Sequence, residues 1–339
     1  MRIREKGIII GEMKTGERNL ITDVKGVKVG HSTIDNEFCH TGVTAVLPGM
    51  DLTEYGPAAA CYVLNGYGKT EGTVQIEELG RLETPILLTN TLCVGKCTDA
   101  LTAYMTEQYQ KAGKKLTSIS CTVGETNDSR ISRITDRPVT QSHVYEAIES
   151  VSEDFALGSV GAGRGTVCFG LKGGIGSASR IIRLGRSTYT LGVLVQSNYG
   201  AMKDLMVNGT SVGKDIAAKI RTAEKDDKGS IMIITATDLP LTCRQLKRVI
   251  KRAAAGIIRC GSHMGHGSGD VMIGFTTANR IPLSSREISS LQLFPEECMD
   301  LIFRAMIEAT EEAVLDSMYT AEPVRSFDGT LYHSLSEFL

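Results

Sequence analysis

A chain of 339 residues, 42% hydrophobic and 22% charged, is long enough for two ordinary domains or one large layered one, and its balance is that of a soluble folded protein rather than a disordered one. Lys and Arg number 37 against 39 Asp and Glu, a net charge of -2, so no global field recruits nucleic acid or anionic lipid. With no Trp and only 5% aromatic residues, a stacking platform for single strands or sugars is also poorly supplied.

In chain order, strand-like runs rich in Val, Ile and Thr are predicted at Val43–Leu47, Ile86–Thr91, Ser118–Val123, Val167–Leu171, Tyr189–Val195, Ile231–Ala236 and Val271–Thr276. Helical periodicity is predicted between them at Lys96–Ala112, Ser142–Glu153, Thr242–Ile258 and Met299–Met318, the third heralded by a capping threonine, Thr242. Glycine clusters at Gly158–Gly165, Gly170–Gly176 and Gly261–Gly269 mark turns at the ends of the runs, and the charged stretch Lys214–Lys228 reads as a solvated loop or helix end. Grouped strands with few, long helices argue for a layered α+β architecture. The nine cysteines are odd in number and irregularly spaced within apolar stretches, the pattern of reduced, buried thiols in a cytoplasmic protein. No segment approaches the 18 or so uninterrupted apolar residues of a membrane span.

Several positions are candidates for chemistry. Ser268 stands between Gly267 and Gly269 at the mouth of the apolar run Val271–Phe275, where a backbone can approach it closely. It suits a nucleophile, including one released by cutting the chain at its own amide, although a Gly-rich hairpin loop is the commoner reading of such a segment. The GxSxG elbow of ordinary serine hydrolases is absent, since position 266 is His. Cys260, His263 and His266 have the spacing of three metal ligands, but no fourth ligand stands nearby, so no metal is expected. Glu125 stands just beyond a predicted strand, where an acid can meet a ligand amine. Asn198, after Leu191–Ser197, offers an amide donor to an oxyanion or a turn with Tyr199-Gly200. Lys172 has no local acid and, taken alone, reads as exposed. On the last helix Arg304, Glu308, Glu312 and Asp316 fall at four-residue spacing as a solvated stripe, while Glu311 lies at the edge of the apolar face.

Taken together, Ile21–His31, Thr41–Gly49, Leu64-Asn65-Gly66-Tyr67-Gly68, Thr84–Thr91, Phe169–Gly176, Val195–Gly200, Thr237–Leu241, Gly267-Ser268-Gly269-Asp270 and Thr277-Ala278-Asn279 resemble, in order, the L-aminopeptidase/D-esterases and β-peptidyl aminopeptidases, a family of self-cleaving hydrolases. The likeness runs along nearly the whole chain. It implies a single αββα four-layer sandwich over residues 1–339, cut at Gly267-Ser268 into 1–267 and 268–339, with the pieces remaining associated and assembled into homo-oligomers. It implies Ser268 as nucleophile, Asn198 as oxyanion contact, Glu125 as receiver of the substrate's free amine, Glu311 as an assistant near the new N-terminus, and a functional Lys172. No cofactor is implied, and the substrate is a peptide or small amide. Two departures stand out: Asn127 replaces a frequent aromatic residue, and Ala309 replaces a hydroxyl or acidic residue of some members.

The chemistry is coherent. A serine hydroxyl is a weak nucleophile, but a free α-amine titrates near 7.7–8.0 and can serve as its base, so cleavage would create base and nucleophile together. The short piece from Ser268 to Leu339 is closer in proportion to the nylon-oligomer hydrolases of the same family, which makes an oligoamide amidase the first alternative. An acyltransferase of the related ornithine acetyltransferase fold and a non-catalytic binding protein are the others.

Overall fold

The computed structural model describes residues 1–220 and 229–339. β1 (Lys28–Asp35) and β2 (His40–Leu47) form a hairpin, and β3 (Tyr55–Gly66) leaves for a second sheet. After the short helix α1 (Thr73–Leu79) the chain returns to the first sheet with β4 (Ile86–Asn90), crosses over through α2 (Val94–Lys111), and adds β5 (Thr122–Thr126) parallel to β4. α3 (Gln141–Glu149) completes that half. β6 (Gly174–Leu184) and β7 (Ser187–Asn198) form the long hairpin of the second sheet. α4 (Gly213–Ile220) precedes β8 (Ser230–Thr237); α5 (Cys243–Ile250) and α6 (Ala253–Arg259) then carry the chain over to β9 (Gly269–Pro282), parallel to β8. The last helix, α7 (Met299–Tyr319), lies back across β6 and β7.

The strand orders are β1-β2-β4-β5 and β3-β9-β8-β7-β6. Ile86, Leu88, Leu194, Met232, Ile234 and Ile273 fill the space between the sheets. A second core sits under α2 and α3, and a third under α5, α6 and α7. Each sheet is thus covered on its outer face by helices, the expected αββα sandwich. Among the described residues no helix is long and apolar enough to cross a membrane. All nine cysteines are free, and seven of them are buried.

The glycine-, serine- and alanine-rich strands β3 and β6, together with β1 and α1, lie outside the elements predicted from sequence. The strand expected at Ser118–Val123 starts at Thr122, where pairing with Ile86 begins. Val167–Leu171 is not one strand: Phe169 (φ 48°) and Gly170 (φ 73°) reverse the chain between two residue pairs, a tight turn that this backbone conformation makes. The helix expected over Thr242–Ile258 is capped by Thr242 as anticipated but breaks at Lys251-Arg252, where the Arg252 amide bonds back three residues to Val249 rather than four. Of the charged stretch Lys214–Lys228, residues 214–220 belong to α4 and the remainder lies outside the described residues.

The largest correction concerns α7. Its acidic stripe is not solvated, because residues 2–19 lie over it. Arg2 pairs with Asp316 at 2.6 Å, Arg4 with Glu312 at 2.9 Å, and the fully buried Arg180 of β6 with Glu312 at 2.7 Å and Glu308 at 3.2 Å. Burial opposes ionisation of Glu312, but Arg4 and Arg180 outweigh it and hold the carboxyl below its ordinary range. Periodicity alone reports a polar stripe equally for water and for a buried rank of arginines.

Candidate active site

The parallel pair β8–β9 and its antiparallel neighbour β7 bring three chain segments to one end of the second sheet. Ser230 pairs with Gly269 on one side and Asn198 on the other, so those two strand positions stand about 10 Å apart across two strand spacings. Position 269 must be glycine: a Cβ there would lie 2.6 Å from the Tyr67 carbonyl. Ser268 is buried, and its Oγ donates to Asp270 Oδ1 at 2.6 Å. Residues two apart on a strand share a face, so Gly267-Ser268-Gly269-Asp270 places an acceptor for the hydroxyl proton beside the hydroxyl. Sequence reasoning did not single out Asp270, although its spacing carried the signal.

The loop before Ser268 is held as well. Ser268 N donates to Gly265 O at 2.9 Å, and Asn65 Nδ2 lies 3.0 Å from Gly265 O and 2.6 Å from Ser268 O. Asn65 was legible only as part of a matching stretch.

Asn198 ends β7 with its amide orientation pinned. Oδ1 accepts from Val167 N at 2.9 Å, and Nδ2 donates to Asn127 O at 2.9 Å. One N–H of the amide remains for a ligand. Asn198 and Gly267 line the same cavity of about 900 Å3, a volume within the range of small-molecule sites. Glu125, near the end of β5, is buried behind the wall of that cavity. Its Oε1 accepts from Lys69 N at 2.9 Å and its Oε2 from Thr91 Oγ1, and Lys69, Thr91 and Asn127 all line the space.

Lys172 departs from its expected exposure. It is fully buried on the short hairpin after Gly170, and Nζ donates to the carbonyls of Gly163 (2.8 Å), Thr166 (3.0 Å) and Gly173 (2.7 Å). Burial pushes its pKa well down, with Arg164 adding to the effect, while three carbonyl acceptors are the surroundings of an ammonium. The Thr166 carbonyl and the Val167 amide belong to one peptide unit. Lys172 therefore bonds to one end of the unit whose other end orients Asn198. Nearby, Asp128 is enclosed without a full hydrogen bond to either oxygen, although the Thr41 hydroxyl lies close. Burial raises its pKa to about 7, and the Glu125 charge adds to the rise.

Glu311 does not join this group. It sits on α7 in the outer helix layer, its carboxylate 3.3 Å from Arg259 and its carbonyl facing the Cys260 thiol. Burial raises its pKa against the opposing pull of Arg259. Nor do Cys260, His263 and His266 converge: Cys260 is buried in the core beneath α7, while both histidines are exposed. Among the described residues no group of three or more His, Cys, Asp or Glu side chains is placed to hold a metal ion.

Peptidase family S58 matches residues 19–332. The chain belongs to that family. The β-peptidyl aminopeptidase BapA of Sphingosinicella microcystinivorans is 36% identical over 97% of the chain and 88% of its own length. Among solved structures, the PH0078 protein of Pyrococcus horikoshii OT3 superposes with a TM-score of 0.93 at 42% identity, covering 99% of this chain and 96% of that one. The L-aminopeptidase D-Ala-esterase/amidase of Ochrobactrum anthropi, described as a variant of the Ntn hydrolase fold, gives 0.92 at 34% identity, covering 98% and 95%. The S58 chain is therefore a hydrolase of the N-terminal-nucleophile type, related to β-peptidyl aminopeptidases and D-esterase/amidases.

Proposed function

We propose that the S58 chain is a self-processing serine aminopeptidase that releases N-terminal residues from peptides, amides or esters. The observation that carries this reading is the Ser268–Asp270 hydrogen bond of 2.6 Å next to Gly267, which lines the same cavity as Asn198, with Glu125 behind its wall. In the uncut chain the nitrogen of Ser268 is an amide and cannot serve as a base, so Asp270 takes the hydroxyl proton. Oγ then attacks the Gly267 carbonyl carbon, the Gly267–Ser268 C–N bond breaks as the nitrogen gains a proton, and water hydrolyses the resulting ester. The products are a carboxylate on Gly267 and a free amine on Ser268. That amine becomes the base for later turnovers, with its titration near neutrality.

In turnover, the protonated amine of the substrate meets Glu125, whose two oxygens are oriented by Lys69 N and Thr91 Oγ1. Ser268 Oγ attacks the next carbonyl, and the remaining Asn198 N–H receives the charge on its oxygen. One such donor is worth roughly 3–4 kcal/mol of barrier. The leaving amine departs with a proton, and water releases the acyl group.

Mass spectrometry under denaturing conditions tests the reading. The wild-type protein should give fragments 1–267 and 268–339, and Ser268→Ala should give one uncut chain without activity on alanyl anilides. Cleavage that persists in the variant would overturn the assignment of Ser268.

A further inference from the structure

Two chain segments clamp the Asn198 amide from opposite ends. Val167 N, at the end of the segment 163–167, donates to Oδ1, and Asn127 O, in the turn after β5, accepts from Nδ2. Asp128 stands where the two segments meet. Its nitrogen completes the Asn127–Asp128 peptide unit, and its carbonyl closes the turn by accepting from Ile131 N (3.0 Å) and Ser132 N (2.9 Å). Its side chain packs against the other segment: a Cβ on Gly165 would lie 2.8 Å from Asp128 Cβ and 3.2 Å from Oδ2, so no side chain fits between them. The enclosed carboxyl has the Thr41 hydroxyl beside it, a group that already accepts from Asn90 Nδ2 at 2.9 Å.

Building on the aminopeptidase reading, we propose that Asp128 is a positioning residue for the reaction: as an uncharged acid it locks together the two peptide units that hold Asn198, and on ionisation it releases them. Burial raises its pKa to about 7, so the change falls near neutrality. The charged groups around it are already engaged. Lys172 holds the carbonyls of Gly163, Thr166 and Gly173, Glu125 on β5 is bound by Lys69 N and Thr91 Oγ1, and Asp35 pairs with both His40 and Arg164. The Cys39 and Cys93 thiols, which feel the Asp128 charge, are kept neutral by burial. A carboxylate formed here is a buried charge that movement must relieve. If the turn opens towards water, Asn127 O moves with it. If Lys172 swings to the carboxylate, the Thr166–Val167 peptide unit loses an anchor. Both movements displace one end of the Asn198 amide. The donor then misses the oxyanion, which forms only on the way to the transition state, so the loss falls on kcat. Binding does not weaken, because a second negative charge near Glu125 favours the substrate's ammonium group.

The test follows kcat and KM on alanyl p-nitroanilide from about pH 6 to 9 in the processed wild type, Asp128→Asn and Asp128→Ala. Asn has the shape of the uncharged acid and no charge to gain. The ratio of kcat in Asp128→Asn to kcat in the wild type should therefore climb about 10- to 100-fold as pH rises through neutrality, with KM in the wild type steady or lower. The Ser268 amine titrates in the same range, but it is common to both enzymes and cancels in the ratio. Asp128→Ala, which no longer reaches Gly165, should be about 10-fold or more slower than Asp128→Asn at every pH. A ratio independent of pH would overturn the proposal and leave the aminopeptidase standing. So would a wild-type loss carried by a rising KM, an Asp128→Ala enzyme as fast as Asp128→Asn, or an Asp128→Asn chain that stays uncut. Should Asp128→Ala fail to fold, the comparison of Asp128→Asn with the wild type decides alone. A wild type that hydrolyses no alanyl anilide at any pH would overturn the aminopeptidase reading itself, and the part of Asp128 in it.

Discussion

Replacing Lys172 by methionine keeps an unbranched chain of similar volume and removes every donor. The Gly163 and Thr166 carbonyls keep a backbone donor each, from Thr166 N (3.4 Å) and Gly173 N (3.0 Å), whereas the Gly173 carbonyl loses its 2.7 Å contact. One buried carbonyl left without a partner costs about 1–3 kcal/mol. Relief from burying a cation offsets part of that, since the desolvation of an ammonium is itself several kcal/mol. The two terms are opposite and of similar size, so stability should change by no more than about 2 kcal/mol, read from urea unfolding in the uncut Ser268→Ala background so that one chain is followed. The catalytic effect should be larger. The Thr166–Val167 peptide unit loses one of its anchors, and a donor misplaced by about 1 Å can cost on the order of 100-fold. kcat on alanyl p-nitroanilide should therefore fall about 10- to 100-fold, with KM changed much less. Because the effect runs through Asn198, Lys172→Met combined with Asn198→Ala should be little slower than Asn198→Ala alone. Multiplying losses in the double variant, or a fall in affinity with kcat intact, would refute the coupling.

Glu125→Gln should still be cut at Gly267–Ser268, because that step involves no external amine. Its kcat/KM on alanyl amides should drop by roughly 10- to 150-fold, the worth of a charge-assisted hydrogen bond, with little loss on N-acetylated analogues; equal losses on both would make Glu125 a structural support. Asp128 supplies a pH signature. Its folded carboxyl keeps a proton up to about pH 7, whereas the unfolded one releases it near 3.8, so the stability drawn from this group is complete below that lower value and lost as pH rises through 7. Asp128→Asn cannot ionise, and should exceed the wild type in stability at pH 8 by up to about 4 kcal/mol while matching it near pH 4. Melting temperatures recorded across that range decide it, and a gap independent of pH would count against the buried carboxylate.

The layered architecture and the Ser268 loop were legible because β-branched runs and glycine motifs are local signals carried by consecutive residues. The Gly-Pro-Ala-Ala-Ala opening of β3 and the Gly-Ile-Gly-Ser-Ala-Ser opening of β6 are poor in the β-branched side chains by which a strand is recognised, and much of their pairing is dictated by neighbours distant in sequence. Lys172 illustrates the same limit for a site. Its three acceptors are backbone carbonyls, which every residue possesses, so no side-chain pattern could announce them. The stripe on α7 needed knowledge of Arg2, Arg4 and Arg180, some 130 to 310 residues away in the chain. Asp270 was different, since its relation to Ser268 is local and the two-residue period of a strand contains it.

The place of β9 between β3 and β8, and the arginines laid over α7, give the Gly267–Ser268 bond a thermodynamic meaning. Everything after that bond contributes an inner strand of one sheet and the helix that roofs it; everything before supplies the flanking strands and the basic partners. If the bond is cut as proposed, separating the two pieces is not the undocking of preformed surfaces but the unfolding of both. The uncut chain reaches the native arrangement by a unimolecular search, whereas the cut pieces must find each other in solution, at a rate set by their dilution. Heat or denaturant should then act almost irreversibly on the mature form, and its lifetime would be governed by the height of an unfolding barrier rather than by a balance of populations.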